Sequence, residues 1–256
     1  MPKAIDAKEY LLSAELQRDR VPSFEEYPFS LPAVRNLHTL KFKHPVTFLV
    51  GENGSGKSTL LEAIAIAWGF NPEGGSKNFR FATQASHSPL HEFLRLSRSV
   101  RRPRDGYFLR AESFFNVASE IDRLDKDGGR GRPIKASYGG ASLHAQSHGE
   151  SFMALVTHRL SGKGFYVLDE PEAALSPTRQ MALVTRIHDL VRAESQFVIA
   201  THSPIILAYP DATILLIEGD GVREVRYEET EHFKITREFL NNYRSMLEVL
   251  LDDSEA

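Results

Sequence analysis

Eight consecutive residues, Gly51-Glu52-Asn53-Gly54-Ser55-Gly56-Lys57-Ser58, carry the pattern G-x-x-x-x-G-K-[ST]. Glycines at these places let a backbone turn tightly enough to aim successive N–H groups at phosphate oxygens. Lys57 is then a point charge for the β- and γ-phosphates, and the Ser58 hydroxyl is a ligand for Mg2+. Thr59 follows at the mouth of a helix, whose N-terminal dipole also favours an anion. The stretch from Gly51 to Thr59 is therefore a candidate nucleotide-binding loop.

A second constellation is Phe165-Tyr166-Val167-Leu168-Asp169-Glu170. Four apolar residues make a strand inside a sheet and deliver two carboxylates at its carboxyl end, the edge at which open α/β sheets bind ligands. Asp169 is the expected Mg2+ ligand, usually through water, and Glu170 is placed to orient or deprotonate an attacking water. His202 follows the next apolar strand, Gln196 to Ala200, and so falls on the same sheet edge, where an imidazole could hydrogen-bond a γ-phosphate. Finally, Ser147-His148-Gly149-Glu150 opens a helix, and its free N–H groups make a second anion-binding nose.

Chemistry at these places requires particular elements. Val46 to Val50 reads as a buried strand and Leu60 to Trp68 as a helix, the frame a phosphate loop needs. Helices are expected over Gly149 to Leu160 and Pro177 to Arg192, and a hairpin over Thr213–Glu218 and Val222–Tyr227, turning at Glu218-Gly219-Asp220-Gly221. Gly106 to Ala111 and Leu37 to Phe42 read as strands. Residues 6–19 read as an amphipathic helix capped by Asp6, Pro89 to Arg98 as a helix, and Ser113 to Leu124 as another. Asp125 to Gly140, rich in Gly and charge, reads as a loop, and His232 to Leu251 as two helical segments.

Short apolar strands alternating with helices predict an α/β fold with a mostly parallel, covered sheet. The expectation is one domain over 1–256. Its core spans about 33–75 and 149–230, an inserted helical lobe carrying the signature spans about 76–148, and C-terminal helices span 232–251.

The order of phosphate loop, Ser-x-Gly-Glu signature, apolar strand ending Asp169-Glu170, and His202 resembles the ABC ATPase family. Within it, Gly-Glu-Asn-Gly-Ser-Gly-Lys-Ser and Asp169-Glu170-Pro171-Glu172-Ala173-Ala174-Leu175-Ser176-Pro177 look like the soluble branch related to SMC, DNA-repair and OLD-type ATPases, and like small bacterial "predicted ATPases". The resemblance implies a P-loop NTPase that binds and hydrolyses ATP with Mg2+. It implies a head-to-tail homodimer in which Ser147, His148, Gly149 and Glu150 act in trans on the partner's nucleotide. Residues 173–177 would form the loop linking the two sites. Glu170 and His202 would be the catalytic pair. The chain departs from the family pattern at His148, where glycine is usual. Gln84 is the candidate for the family's Q-loop glutamine, Arg35 for a nucleotide-facing cation, and Tyr27 or Phe29 for a ring against adenine. Two other readings stay open: the nucleotide-binding subunit of an ABC transporter, and an ATP sensor that dimerises without hydrolysis.

The bulk numbers bound the partners. With 256 residues, 41% hydrophobic and 25% charged, the chain can bury a sizeable core. A net charge of −3 means that contact with nucleic acid needs a local patch. Arg95, Arg98, Arg101, Arg102, Arg104 and Arg110 crowd one such stretch, a candidate surface for nucleic acid or a protein partner, with a salt-bridged surface as the alternative. There is no cysteine, so disulfides and thiolate metal sites are excluded. No apolar run has the length of a membrane span, and a cytoplasmic location is expected.

Overall fold

A computed structural model of the protein describes residues 8–76, 88–110, 147–219 and 221–252, together with Ser119 and Arg123. Its centre is a six-stranded sheet in the order β5-β6-β7-β3-β8-β9. The strands are β3 (Val46–Gly51), β5 (Asp105–Arg110), β6 (Gly164–Asp169), β7 (Gln196–Ala200), β8 (Thr213–Glu218) and β9 (Gly221–Val225). The first five run parallel, and β9 returns antiparallel to β8 through the expected hairpin. Every residue of β3, β6 and β7 is buried, as the unbroken apolar runs require for strands covered on both faces.

Side chains alternate between two cores. Phe48, Val50, Tyr166, Leu168, Phe197 and Ile199 face α3 (His148–His158) and α4 (Pro177–Arg192). Leu49, Phe165, Val167, Val198 and Ala200 face α2 (Lys57–Trp68) on the other side. Beyond α2 lies a second, antiparallel sheet, β2-β1-β4, made of β1 (Leu11–Leu16), β2 (Thr39–Lys41) and β4 (Leu94–Arg98). The buried Gln196 amide ties this sheet to the first. Its Oε1 accepts from the N–H groups of Tyr10 and Leu11, each at 2.8 Å, and its Nε2 donates to Leu11 O at 2.9 Å.

Three expectations are corrected here. The helix expected over residues 6–19 is strand β1. Its register shifts between Leu11 and Ser13, and this bulge puts Leu11 and Ala14 on one buried face. A bulge thus turned a two-residue period into an i, i+3 spacing that imitates a helix. Pro89–Phe93 is a single 3-10 turn that leads into β4, rather than a helix to Arg98. Residues 88–110, assigned to the inserted lobe, supply edge strands to both sheets, because β5 pairs with β6 and β4 with β1. The rest of that lobe, with most of the expected helix Ser113 to Leu124 and the loop Asp125 to Gly140, lies outside the described residues, apart from Ser76, Ser119, Arg123, Ser147 and His148.

Between these elements sit two short helices, α1 (Pro32–Arg35) and α5 (Pro204–Leu207). The two expected C-terminal segments join into α6 (Glu231–Leu250), interrupted by non-helical angles at Asn242. Among the described residues, no helix is long and apolar enough to cross a membrane.

Candidate nucleotide site

The loop from Gly51 to Gly56 joins β3 to α2, as its sequence requires. Gly56, at φ +93°, is the N-cap of α2, a conformation that strains any side chain. The first turn of α2 therefore presents its N–H groups directly after the loop. Lys57 is buried, and its Nζ donates to Gly51 O at 2.9 Å and Glu52 O at 2.8 Å. Burial lowers its pKa, against the opposing pull of Glu170, Asp169 and Glu172. The ammonium is thus held inside the loop by carbonyls, with three carboxylates nearby to favour its charge.

The ends of β3 and β6 meet at this loop. Ser58 Oγ donates to Asp169 Oδ1 at 2.9 Å. Asp169 Oδ2 lies 3.8 Å from Arg110 Nε, and Arg110 also pairs through Nη1 with the buried Glu62 of α2. Arg110 and Asp169 are register partners across β5 and β6, which fixes this proximity in the backbone.

Glu170 follows at φ 48°, ψ 54°, a left-handed conformation unusual for a non-glycine residue, at a cost of about 1–3 kcal/mol. It is anchored by its own N–H, which donates to Ala200 O at 2.9 Å. The turn aims the carboxylate toward a cavity of about 380 Å³ that Lys57, Ser58, Thr59 and Gly56 also line. A larger cavity of about 960 Å³ flanks the other side of the loop, lined by Glu52, Asn53, Gly54, Ser55 and His202. Lys57, Ser58 and Glu170 thus line the smaller cavity and His202 the larger, and the two cavities adjoin where Glu170 and His202 approach each other.

His202 reaches the same place from β7. Its Nε2 is 3.8 Å from Glu170 Oε1, and its Nδ1 is 3.0 Å from Nε2 of His232 on α6. Burial lowers its pKa, Lys57 lowers it further, and Glu170 opposes both. Glu172 holds the loop that carries it: Oε1 accepts from the His202 N–H, and Oε2 from the Thr201 hydroxyl at 2.7 Å.

The signature residues lie at the N-terminus of α3. Glu150 accepts from the Ser147 N–H at 3.0 Å and the Ser147 hydroxyl at 2.8 Å, which caps the helix. Gly149 is buried where α3 meets the chain before α4. A Cβ there would fall on the Arg179 guanidinium and within 2.7 Å of Ala174 O. Ser147, His148 and Glu150 are exposed, and neither cavity beside the phosphate loop is lined by residues 147–150.

Other expected residues fall elsewhere. Arg35 is turned to Glu25, with Nη2 to Oε1 at 2.8 Å, and lines neither cavity. Phe29 is buried edge-on against Phe93, so of the two adenine candidates only Tyr27 is exposed. Gln84 lies outside the described residues. The arginine stretch is largely spent within the chain. Arg95 pairs with Glu15 and Arg101 with Glu194. Arg98 covers the Trp68 ring and donates to Ala67 O, while Arg110 faces Glu62 and Asp169. The salt-bridged alternative describes Arg95, Arg101 and Arg110, while Arg98 is held by an aromatic ring and backbone carbonyls. Conversely, Glu172, His232 and the Arg110–Glu62 pair were not foreseen as site residues. Glu172 stood in the Asp-Glu-Pro-Glu motif, whereas His232 had no local signal at all.

The oxygen donors of Ser58 and Asp169, side by side at the sheet edge, fit a hard cation such as Mg2+. Among the described residues no group of three His, Cys, Asp or Glu side chains could hold a metal ion by itself.

Residues 28–132 match the family model described as "AAA domain". Over 74 residues the chain is 35% identical to the chromosome partition protein Smc of Mycolicibacterium paratuberculosis, a stretch that is 28% of this chain and 6% of that protein. The chain thus spans a small fraction of that relative's length. Among solved structures, an ATP-binding cassette of an ABC transporter in its ADP conformation superposes with a TM-score of 0.50 at 15% identity, covering 95% of this chain and 99% of that one. A second structure of that cassette gives 0.51 at 17% identity, over 93% and 98%. The SMC head domain from Thermotoga maritima gives 0.43 at 17% identity, over 85% and 98%. In motif order this chain is similar to P-loop ATPases of the ABC and SMC type, and its fold is that of an ATP-binding cassette.

Proposed function

We propose that the protein hydrolyses ATP with Mg2+, in a site completed by a second copy of the chain. The observation that carries this reading is the bond between Ser58 Oγ and Asp169 Oδ1, which brings the phosphate loop and the acidic strand end to one point. Lys57 and the first-turn N–H groups of α2 bind the phosphates. Ser58 and Asp169 hold Mg2+, which when bound neutralises charge on the phosphate oxygens. Glu170 takes the proton of the attacking water, and His202 hydrogen-bonds the terminal phosphate through Nε2.

The exposed Ser147, His148 and Glu150, which line neither cavity beside their own phosphate loop, favour action on the partner's nucleotide. ATP then serves as a timed clamp between two copies, and the cycle acts on a macromolecule in the cytoplasm. The commitment of four arginines to internal partners favours a protein over nucleic acid as that target.

The test is the Mg2+-dependent ATPase rate of wild type and Glu170→Gln. We expect turnover in the wild type and a loss of about 100-fold or more in the variant. A wild type with no turnover, unchanged in the variant, would make the protein an ATP sensor instead.

A further inference from the structure

His202 is in contact with a second histidine that belongs to a different part of the fold. Their ring centroids are 5.2 Å apart, and Nδ1 of His202 lies 3.0 Å from Nε2 of His232. A neutral imidazole has one N–H and one lone pair, so a bond between two ring nitrogens fixes both tautomers. Burial lowers the pKa of both rings. The charge of Lys57 lowers both further and His202 itself lowers that of His232, against Glu170 on His202 and Glu231 and Glu172 on His232; the net direction is down for both, which favours neutral rings. The remaining neighbour decides the direction. Nε2 of His202 faces Glu170 Oε1 at 3.8 Å, outside hydrogen-bond distance, and a carboxyl oxygen at that place favours an N–H over a nitrogen lone pair turned toward it. The hydrogen of His202 therefore belongs on Nε2. Its Nδ1 is then the acceptor, and the hydrogen between the rings comes from His232 Nε2. The opposite arrangement would turn a lone pair of His202 toward the carboxylate.

His232 is held for this task. It stands in the first turn of α6, where Thr230 Oγ1 accepts from the Phe233 N–H at 3.3 Å. Tyr227 packs on Phe233 with centroids 4.7 Å apart, and its hydroxyl donates to Pro204 O at 2.7 Å. The entry to α6 is thereby pinned to α5, two residues beyond His202 in the chain. His232 and His202 also line the same cavity beside the phosphate loop.

We propose that His232 is the positioning residue of the catalytic histidine: it donates to His202 Nδ1 and so keeps the Nε2–H aimed at Glu170 and at the terminal phosphate of a bound nucleoside triphosphate. The inference rests on the ATPase reading for its catalytic consequence, but not for its geometry. It makes the first turn of the C-terminal helix part of the hydrolytic centre.

Two variants test it in the full chain. His232→Leu keeps the volume and removes the donor, whereas His232→Gln returns an amide N–H near the position of Nε2. Histidine-ring NMR should show His202 with its hydrogen on Nε2 and a hydrogen-bonded Nδ1 in the wild type and in His232→Gln, with the bonded Nδ1 signal lost in His232→Leu. In kinetics, His232→Leu should lower kcat about tenfold or more. It should leave KM for ATP within about twofold, and His232→Gln should recover most of the rate. A wild-type His202 carrying its hydrogen on Nδ1 would overturn the proposal. So would a His232→Leu enzyme with normal kcat, or a His232→Gln enzyme as slow as the leucine variant. If the wild type does not hydrolyse ATP, the ATPase reading fails by itself, and the NMR result still decides the role of His232.

Discussion

Ser58, in the first turn of the helix that follows β3, and Asp169, at the end of β6 on the far side of β7, are joined by a 2.9 Å hydrogen bond from Oγ to Oδ1. A bond between the phosphate loop and the acidic strand end leaves Asp169 Oδ2 for Arg110, so each oxygen of the carboxylate has its own direction.

Arg110 and Glu62 form a nearly buried ion pair beside Asp169. Arg110→Met leaves the Glu62 carboxylate uncompensated, which should cost about 2–4 kcal/mol in urea unfolding. Adding Glu62→Gln should restore most of that stability. The Mg2+ dependence of the double variant should remain weakened if Arg110 also orients Asp169.

Glu172 accepts from the Thr201 hydroxyl and the His202 N–H. Glu172→Ala strands both donors, so a loss of about 1–3 kcal/mol is expected by chemical denaturation. ATP turnover should fall with it, because the loop carrying His202 loses its anchor. Nucleotide affinity, measured by calorimetry, should change little.

Gly149 packs where a Cβ would meet Arg179 and Ala174 O. Gly149→Ala should therefore destabilise the nucleotide-free monomer by about 1–3 kcal/mol, seen as a lower urea midpoint. A glycine needed only for close approach to a partner's nucleotide would leave that midpoint unchanged.

Asp105 starts β5 and accepts from Arg159 at 2.8 and 3.0 Å, from the Ser161 hydroxyl at 3.0 Å and from the Tyr166 hydroxyl at 3.0 Å. Burial raises its pKa, but the Arg159 bond and charge outweigh this, and the net direction is down. A depressed carboxylate pKa contributes stability above its unfolded value and loses it as pH falls through the folded value. Asp105→Asn should cost about 2–3 kcal/mol at neutral pH. That gap should begin to close below about pH 4, where the unfolded chain takes up the proton first, and should close further as pH falls through the lower folded value.

The sequence was most informative where local grammar and chemistry coincide. The phosphate loop needs glycine angles, a strand before it and a helix after it, and β3 and α2 follow directly. Strands β6 and β7 were equally readable, since burial on both faces demands unbroken apolar runs. The antiparallel sheet was harder, because the bulge in β1 erased its alternation. Long-range partners were hardest. Nothing near Arg110 announces Glu62, and nothing near His232 announces His202, since only the folded chain brings α2, β5, β7 and α6 together. The charge run at Arg95–Arg110 misled for the same reason: its partners Glu15, Glu62 and Glu194 are distant in sequence.

A hydrolytic site shared between two copies ties the mass of the particle to the nucleotide, and sedimentation of Glu170→Gln with saturating Mg-ATP, repeated after adding Ser147→Arg, reads this directly. A 28.8 kDa particle is expected without nucleotide, twice that mass with ATP, and the single-chain mass again in the double variant. A protein that binds ATP yet keeps its single-chain mass, or one whose dimer ignores both ATP and Ser147→Arg, would contradict a shared site.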